Sequence, residues 1–270
     1  MAIGIFDSGL GGLTIREAIR ERLPDLPLHY LTDAANAPYD GRSEDDIAAL
    51  TRAGVTRLWD AGCDLVIVGS GTAGAAALRR MQEAGVPEGK RVLGMFVPLI
   101  EALTGRDWGD NTRPRASAVS NVALFGTATT VESRAFQREL GFRAIGVDVE
   151  AEACSDLCSA LESGSGAEAG DMVRRHAAAL LERMPEPEAA VLGCGHLAGL
   201  EDVFRDALGG DVTVLSPPRH VAESLAAYLG RHPGMRGAGA EDRFLTTGDP
   251  ERAAERARQH LRREAGFEAA

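Results

Sequence analysis

Lysine is nearly missing from this chain. The 29 basic residues among its 270 include a single lysine, Lys90, in the turn-like stretch Pro87-Glu88-Gly89-Lys90. A pyridoxal-phosphate enzyme holds its cofactor as a Schiff base on lysine, so one lysine in a turn argues against that chemistry. No apolar run approaches the roughly 18–20 residues of a membrane span. The start Met1-Ala2-Ile3-Gly4 enters a strand without the basic and apolar regions of a signal peptide. A cytoplasmic protein without membrane contact is expected. Basic clusters are missing too, and the formal net charge is −11, which argues against a nucleic-acid partner.

Metal and nucleotide motifs are equally scarce. The four cysteines, Cys63, Cys154, Cys158 and Cys194, make no C-x-x-C and no zinc-ribbon spacing. Cys154 and Cys158 fall four apart on an expected helix, but no matching His/Cys pair lies near them in sequence, so no metal is expected. Only His196 of the six histidines sits in a cleft-type motif. No Walker loop is present, and Asp7-Ser8-Gly9-Leu10-Gly11-Gly12 lacks the glycine spacing of a dinucleotide-binding turn. No cofactor is expected.

What is present is an alternation of short apolar runs with helical patterns, within a composition 44% hydrophobic and 26% charged. That alternation reads as α/β with mainly parallel strands. Strands are expected at Ile3–Phe6, Leu28–Thr32, Leu65–Val68 and Arg91–Phe96. A second series follows at Val122–Phe125, Ala144–Val149, Ala189–Leu192 and Val212–Leu215, and a last strand at Phe244–Thr246. Ser43 is placed to cap a helix whose Ile47, Leu50, Gly54 and Leu58 share a face, and Asp249-Pro250 to start the last one, with which the chain is expected to end. A helix is also expected over 152–162. The polar stretch from Arg106 to Ser120 is a candidate lid or surface insertion. Two strand series predict two similar parallel-sheet α/β domains, residues 1–98 with 213–270 and residues 99–212. Ligand would bind in the cleft beyond the strand C-termini.

The residues at those strand ends carry the chemistry. Val68-Gly69-Ser70-Gly71-Thr72 and Leu192-Gly193-Cys194-Gly195-His196 echo one another: each frames a nucleophilic side chain between glycines after an apolar strand. Such turns allow close backbone approach and leave amide N–H groups for an anion. His196, two residues from Cys194, can lower a thiol pKa. Asp7 closes the first strand and can orient or charge a base; Asp-Ser-Gly is also an ordinary helix cap. Thr127 and Thr130 offer hydroxyls for a carboxylate or for capping, and Tyr39 lies on a loop beyond the second strand.

Taken together, these segments resemble bacterial glutamate racemases. Ile5-Phe6-Asp7-Ser8-Gly9-Leu10-Gly11-Gly12-Leu13-Thr14 is similar to the N-terminal signature of that family. Ala37-Pro38-Tyr39, Gly126-Thr127-Ala128-Thr129-Thr130-Val131, Ala153-Cys154, Leu192-Gly193-Cys194 with His196, and Thr246-Thr247-Gly248-Asp249-Pro250 follow in the family's order. The resemblance implies two α/β domains about a pseudo-twofold axis, no cofactor, a small carboxylic-acid substrate, and a homodimer. It implies two opposed cysteines that act as acid and base at the carbon beside a carboxylate. By that resemblance Cys194 is one of them, assisted by His196, and Asp7 assists the other side. Ser8, Tyr39, Gly71, Thr72, Thr127, Thr130 and Gly195 fall at substrate-binding positions.

The departures from the family are specific. Cys-Asn-Thr-Ala reads Ser70-Gly71-Thr72-Ala73 here, and Cys-Thr-His-Tyr reads Cys194-Gly195-His196-Leu197. Asp40 replaces the glycine after Pro-Tyr, and Val97 stands where a glutamate precedes proline. Serine at position 70 is a poor base beside a thiol. Three readings stay open: a racemase or isomerase disabled by a Cys→Ser change, a single-cysteine decarboxylase of a substituted malonate resembling arylmalonate decarboxylases, and a catalytically silent binding relative. The glycines at 71 and 195 lead to the expectation of an acid other than glutamate.

Overall fold

The computed structural model describes every residue except Trp108, Gly109, Asn111, Ala238, Gln259, His260, Arg262, Arg263 and Glu264. Among the described residues the strands are β1 (Ala2–Asp7), β2 (Leu28–Thr32), β3 (Cys63–Val68), β4 (Arg91–Gly94), β5 (Arg115–Ala116), β6 (Asn121–Gly126), β7 (Ala144–Ile145), β8 (Asp148–Ala153), β9 (Ala189–Leu192), β10 (Thr213–Leu215), β11 (Arg243–Thr246) and β12 (Phe267–Ala269). They form a six-stranded sheet in the order β12-β11-β2-β1-β3-β4 and a four-stranded sheet in the order β10-β9-β6-β8. Every pairing within both is parallel. The two parallel-sheet α/β domains read from the sequence are therefore present.

Side-chain alternation along the central strands explains how the sheets are covered. In β1, Ile3 and Ile5 face one core while Ala2 and Phe6 face another. In β6, Val122 and Leu124 join the core of Ile3 and Ile5, and Ala123 and Phe125 point the other way. The inner faces of both sheets thus share one apolar core with the helices Gly12–Arg22, Phe96–Thr104 and Pro217–Arg231. Each outer face carries its own helices, Glu44–Asp60 on the first sheet and Ser155–Glu162, Ala169–Leu181 and Glu201–Leu208 on the second. Period-two burial on both faces is what a covered parallel sheet requires. Ser43 caps its helix as expected, accepting from Asp46 N at 3.1 Å. On that helix Gly54 meets the Phe6 ring, where a Cβ would come within 2.1 Å of it.

Several sequence expectations need correction. Thr213–Leu215, assigned to the first domain, pairs with β9 in the four-stranded sheet. The chain re-enters the first half only after β10, and the segment 213–270 is split accordingly. The apolar run Ala144–Val149 is not one strand: Gly146 turns it with φ +75°, a conformation that favours glycine. Ala144–Ile145 then pairs with β5, and Asp148–Ala153 runs beside β6. The helix expected over 152–162 consequently begins at Ser155. The chain does not end on a helix; Phe267–Ala269 adds a strand beside β11.

The candidate lid also reads differently, although its Trp108, Gly109 and Asn111 lie outside the described residues. Arg106, only 9% exposed, donates to the carbonyls of Thr112, Arg113 and Arg143 and to Asp110. None of the described residues of the segment borders the cleft cavity. No described helix is long and apolar enough to cross a membrane.

Candidate active site

Parallel strands point their C-terminal ends the same way, and here the ends of β1, β3, β6 and β9 converge on one cavity of about 530 Å³. The first sheet supplies Asp7 and Ser8 after β1, Tyr39 and Asp40 after β2, and Ser70, Gly71 and Thr72 after β3. From the second come Thr127 after β6 and Cys194, Gly195 and His196 after β9. The helix Ser155–Glu162 adds Cys158 and Glu162.

On the second-sheet side the polar groups form a relay. Cys194 Sγ lies 3.7 Å from His196 Nδ1, and His196 Nε2 lies 2.8 Å from Glu162 Oε2. A hydrogen bond from Cys158 holds the Cys194 thiol pKa well below its ordinary range; burial opposes this, and His196 adds to it. Cys158 is correspondingly pushed up by the same bond and by burial. Burial works against protonation of His196, but Cys194 and Glu162 outweigh it and raise the imidazole pKa. Glu162 stays ionised despite burial because His196, the Leu10 N–H and Arg256 all favour its charge. The result is a thiolate–imidazolium–carboxylate series, the arrangement that activates a cysteine.

The first-sheet side is built from hydroxyls. Ser70 Oγ is 2.8 Å from Ser8 Oγ and accepts from Ala73 N at 3.2 Å, capping the helix that follows. Asp7 is turned elsewhere: it accepts from the N–H groups of Gly9 and Gly12 and from Tyr30 OH at 3.3 Å. Burial raises its pKa, with the Gly12 N–H pulling the other way. Ser70 thus has a hydroxyl neighbour but no carboxylate or imidazole among its described partners.

The two sides touch. Thr72 Oγ1 is 2.9 Å from Thr127 Oγ1, and Thr14 Oγ1 donates to Gly195 O at 3.3 Å. Asp40 accepts from Thr129 N at 3.0 Å and Thr129 Oγ1 at 2.8 Å, and also from Ser155 Oγ. A Cβ on Gly71 would fall 1.9 Å from Gly193 O, and one on Gly195 would fall 2.5 Å from Gly11 O.

A profile of the family described as Asp/Glu/Hydantoin racemase matches residues 13–225. The chain belongs to the Asp/Glu/hydantoin racemase family. A glutamate racemase of Paracoccus denitrificans is 61% identical over 270 residues, covering 100% of both chains. One of Dinoroseobacter shibae is 59% identical over 269 residues, covering 100% of this chain and 98% of the relative. In three dimensions, glutamate racemase isoform RacE1 of Bacillus anthracis superposes with TM-score 0.85 at 24% identity, over 100% of this chain and 97% of that one. The two sequence relatives support racemase chemistry and give no support to a decarboxylase or to an acid other than glutamate. Gly71 and Gly195 stand where a Cβ on either would meet backbone of the other half. Contact with backbone, rather than an enlarged pocket, accounts for them.

Of the residues singled out from the sequence, Asp7, Ser8, Tyr39, Ser70, Gly71, Thr72, Thr127, Cys194, Gly195 and His196 all border the cavity. Thr130 does not: it is fully buried behind Thr127, with 3.1 Å between the two hydroxyl oxygens. Tyr39 borders the cavity with its hydroxyl turned to Asp33 at 2.6 Å. Sequence reasoning misses Glu162, Arg256 and the part played by Cys158. The first two are charged residues on helices with no motif around them, and only the fold brings Glu162 to His196 and Arg256 to Glu162. Cys158 gives a faint signal in its spacing from Cys154, but nothing in that spacing points to Cys194.

Proposed function

We propose that the chain transfers the α-proton of glutamate, as a cofactor-independent racemase with unequal sides. The Cys194 thiolate removes the proton from the substrate face it meets and becomes a thiol, while His196 and Glu162 hold the charge that makes this base available at neutral pH. The carbanion left behind is resonance-stabilised into the carboxylate, which the Thr72 and Thr127 hydroxyls lining the cavity can meet by hydrogen bonding. Inversion requires a proton from the opposite face, where Ser70 stands. A hydroxyl gives its proton at the cost of an alkoxide, and the reverse step needs that alkoxide as base. Cleavage at the Cys194 face is therefore fast relative to inversion. The observation that carries this reading is the Cys194–His196–Glu162 series facing a bare Ser70 in one cavity, in a chain about 60% identical to proteins named glutamate racemase.

Nuclear magnetic resonance of D- and L-glutamate in D2O, with chiral chromatography of the same samples, tests it. One enantiomer is expected to exchange its α-proton faster than it racemises. Ser70→Cys should raise racemisation by at least roughly a hundredfold, within the scale by which one positioned acid–base group contributes. Cys194→Ala should abolish both exchange and racemisation in a protein that still folds. Exchange that survives Cys194→Ala would sink the proposal.

A further inference from the structure

Glu162 belongs to the second-sheet half, yet much of what holds it comes from the other half. Its Oε2 accepts from Leu10 N at 3.1 Å. Arg256 Nη2 lies 2.8 Å from Oε1 and donates also to the backbone carbonyl of Glu162 at 2.8 Å. Leu10 sits in the turn after β1, and Arg256 in the last turn of the helix Pro250–Ala257, which packs on β11 and β12. The carboxylate is therefore shared across the cleft, with His196 on its own side and two first-half donors on the other. Any opening of the cleft removes both first-half donors together. Among the described residues, the imidazole alone would then hold the carboxylate, with no second donor to fix the angle at which they meet.

We propose that Arg256 is a positioning residue that completes the Cys194–His196–Glu162 relay only when the two halves are closed. The inference rests on the proton transfer at Cys194 proposed above. Its physical basis is the two-point hold: a guanidinium that grips a side-chain oxygen and a carbonyl of one residue fixes orientation as well as charge. Asp7 and Tyr30 also face Glu162 electrostatically, so the carboxylate's charge alone is not set by Arg256; its direction is.

Two measurements on the full chain test this. In the first, ultraviolet absorbance of the thiolate is followed against pH without ligand, in the parent, Arg256→Ala and Arg256→Lys, with Cys194→Ala as blank. Burial pushes the Cys63 thiol up to about 12, and Cys154 and Cys158 are raised as well, so thiolate that forms at lower pH belongs to Cys194. Arg256→Ala is expected to move thiolate formation to higher pH, because a carboxylate that swings free no longer secures the imidazolium. Arg256→Lys should recover part of the shift. An unmoved or downward titration in Arg256→Ala would overturn the proposal.

The second measurement separates kcat from KM for α-proton exchange of glutamate. Arg256→Ala should lower kcat roughly tenfold and move KM less than about threefold, the scale of losing one charge-assisted hydrogen bond. A rise in KM alone, with the thiolate titration unchanged, would mean that Arg256 contacts substrate directly and would overturn the positioning role. A parent chain that exchanges no proton would refute the reaction proposed above, while the thiolate titration would still decide the role of Arg256.

Discussion

At the scale of single residues, the two faces of the cavity differ in what surrounds the reacting atom. Cys194 has a donor thiol, an imidazole and, one step further, a carboxylate; Ser70 has a second hydroxyl and a backbone N–H. The pH dependence follows with definite sign. Cys194 is depressed from an ordinary 9.0, so its active thiolate is lost as pH falls through the lowered value. His196 is raised from 6.5, so its imidazolium is lost as pH rises through the raised value. A kcat/KM profile for proton exchange should therefore show a wide plateau through neutrality, whose limbs belong to the coupled pair. Cys158→Ala removes the largest influence favouring the thiolate, and His196→Asn removes the next. Each should move the acid limb upward, toward the ordinary value of a thiol. If the acid limb stays put in both variants, the thiolate is not the titrating group.

At the scale of elements, Ser70 has a second duty. Its Oγ caps the helix beginning at Gly71, and loss of a serine cap costs about 1 kcal/mol. Thermal and urea unfolding should find Ser70→Ala destabilised by about that amount. Ser70→Cys should be less stable than the parent by a similar amount even as it racemises faster, since a thiol is a weaker acceptor than a hydroxyl. A Ser70→Cys chain as stable as the parent would show that the cap contributes nothing. The same elements explain which parts of the site are legible in the sequence. Motif residues lie at strand ends, and a strand followed by a glycine-containing turn and a helix can be placed from apolar runs and turn residues alone. Ser70, Thr127 and Cys194 are found that way, because sequence order and spatial order coincide within one strand–turn–helix unit. Glu162 and Arg256 are 94 positions apart and meet only by closure of the two halves, which no local pattern encodes. The split of Ala144–Val149 depends on one backbone angle at Gly146, and β12 on pairing with a strand already in place.

For the whole molecule, three positions singled out in the sequence share a location. Asp40 links the first half to Thr129 and Ser155 of the second, and Gly71 and Gly195 stand where backbone from the two halves comes closest. A carboxylate and two positions without side chains all act to bring the halves together, and the glycines tolerate no Cβ without moving backbone. That geometry makes the two glycine sites one mechanical contact rather than two local ones. Gly71→Ala and Gly195→Ala should each destabilise the fold by about 1–3 kcal/mol, the usual cost of overpacking. In a double-mutant cycle the pair should cost little more than the worse single change, because the first opening already makes room for the second Cβ. Urea unfolding of the four proteins measures this directly. Additive losses would mean that each turn yields locally and that the halves do not move as rigid bodies. Non-additive losses would make cleft closure a single coordinate, the same one that carries Arg256 to Glu162.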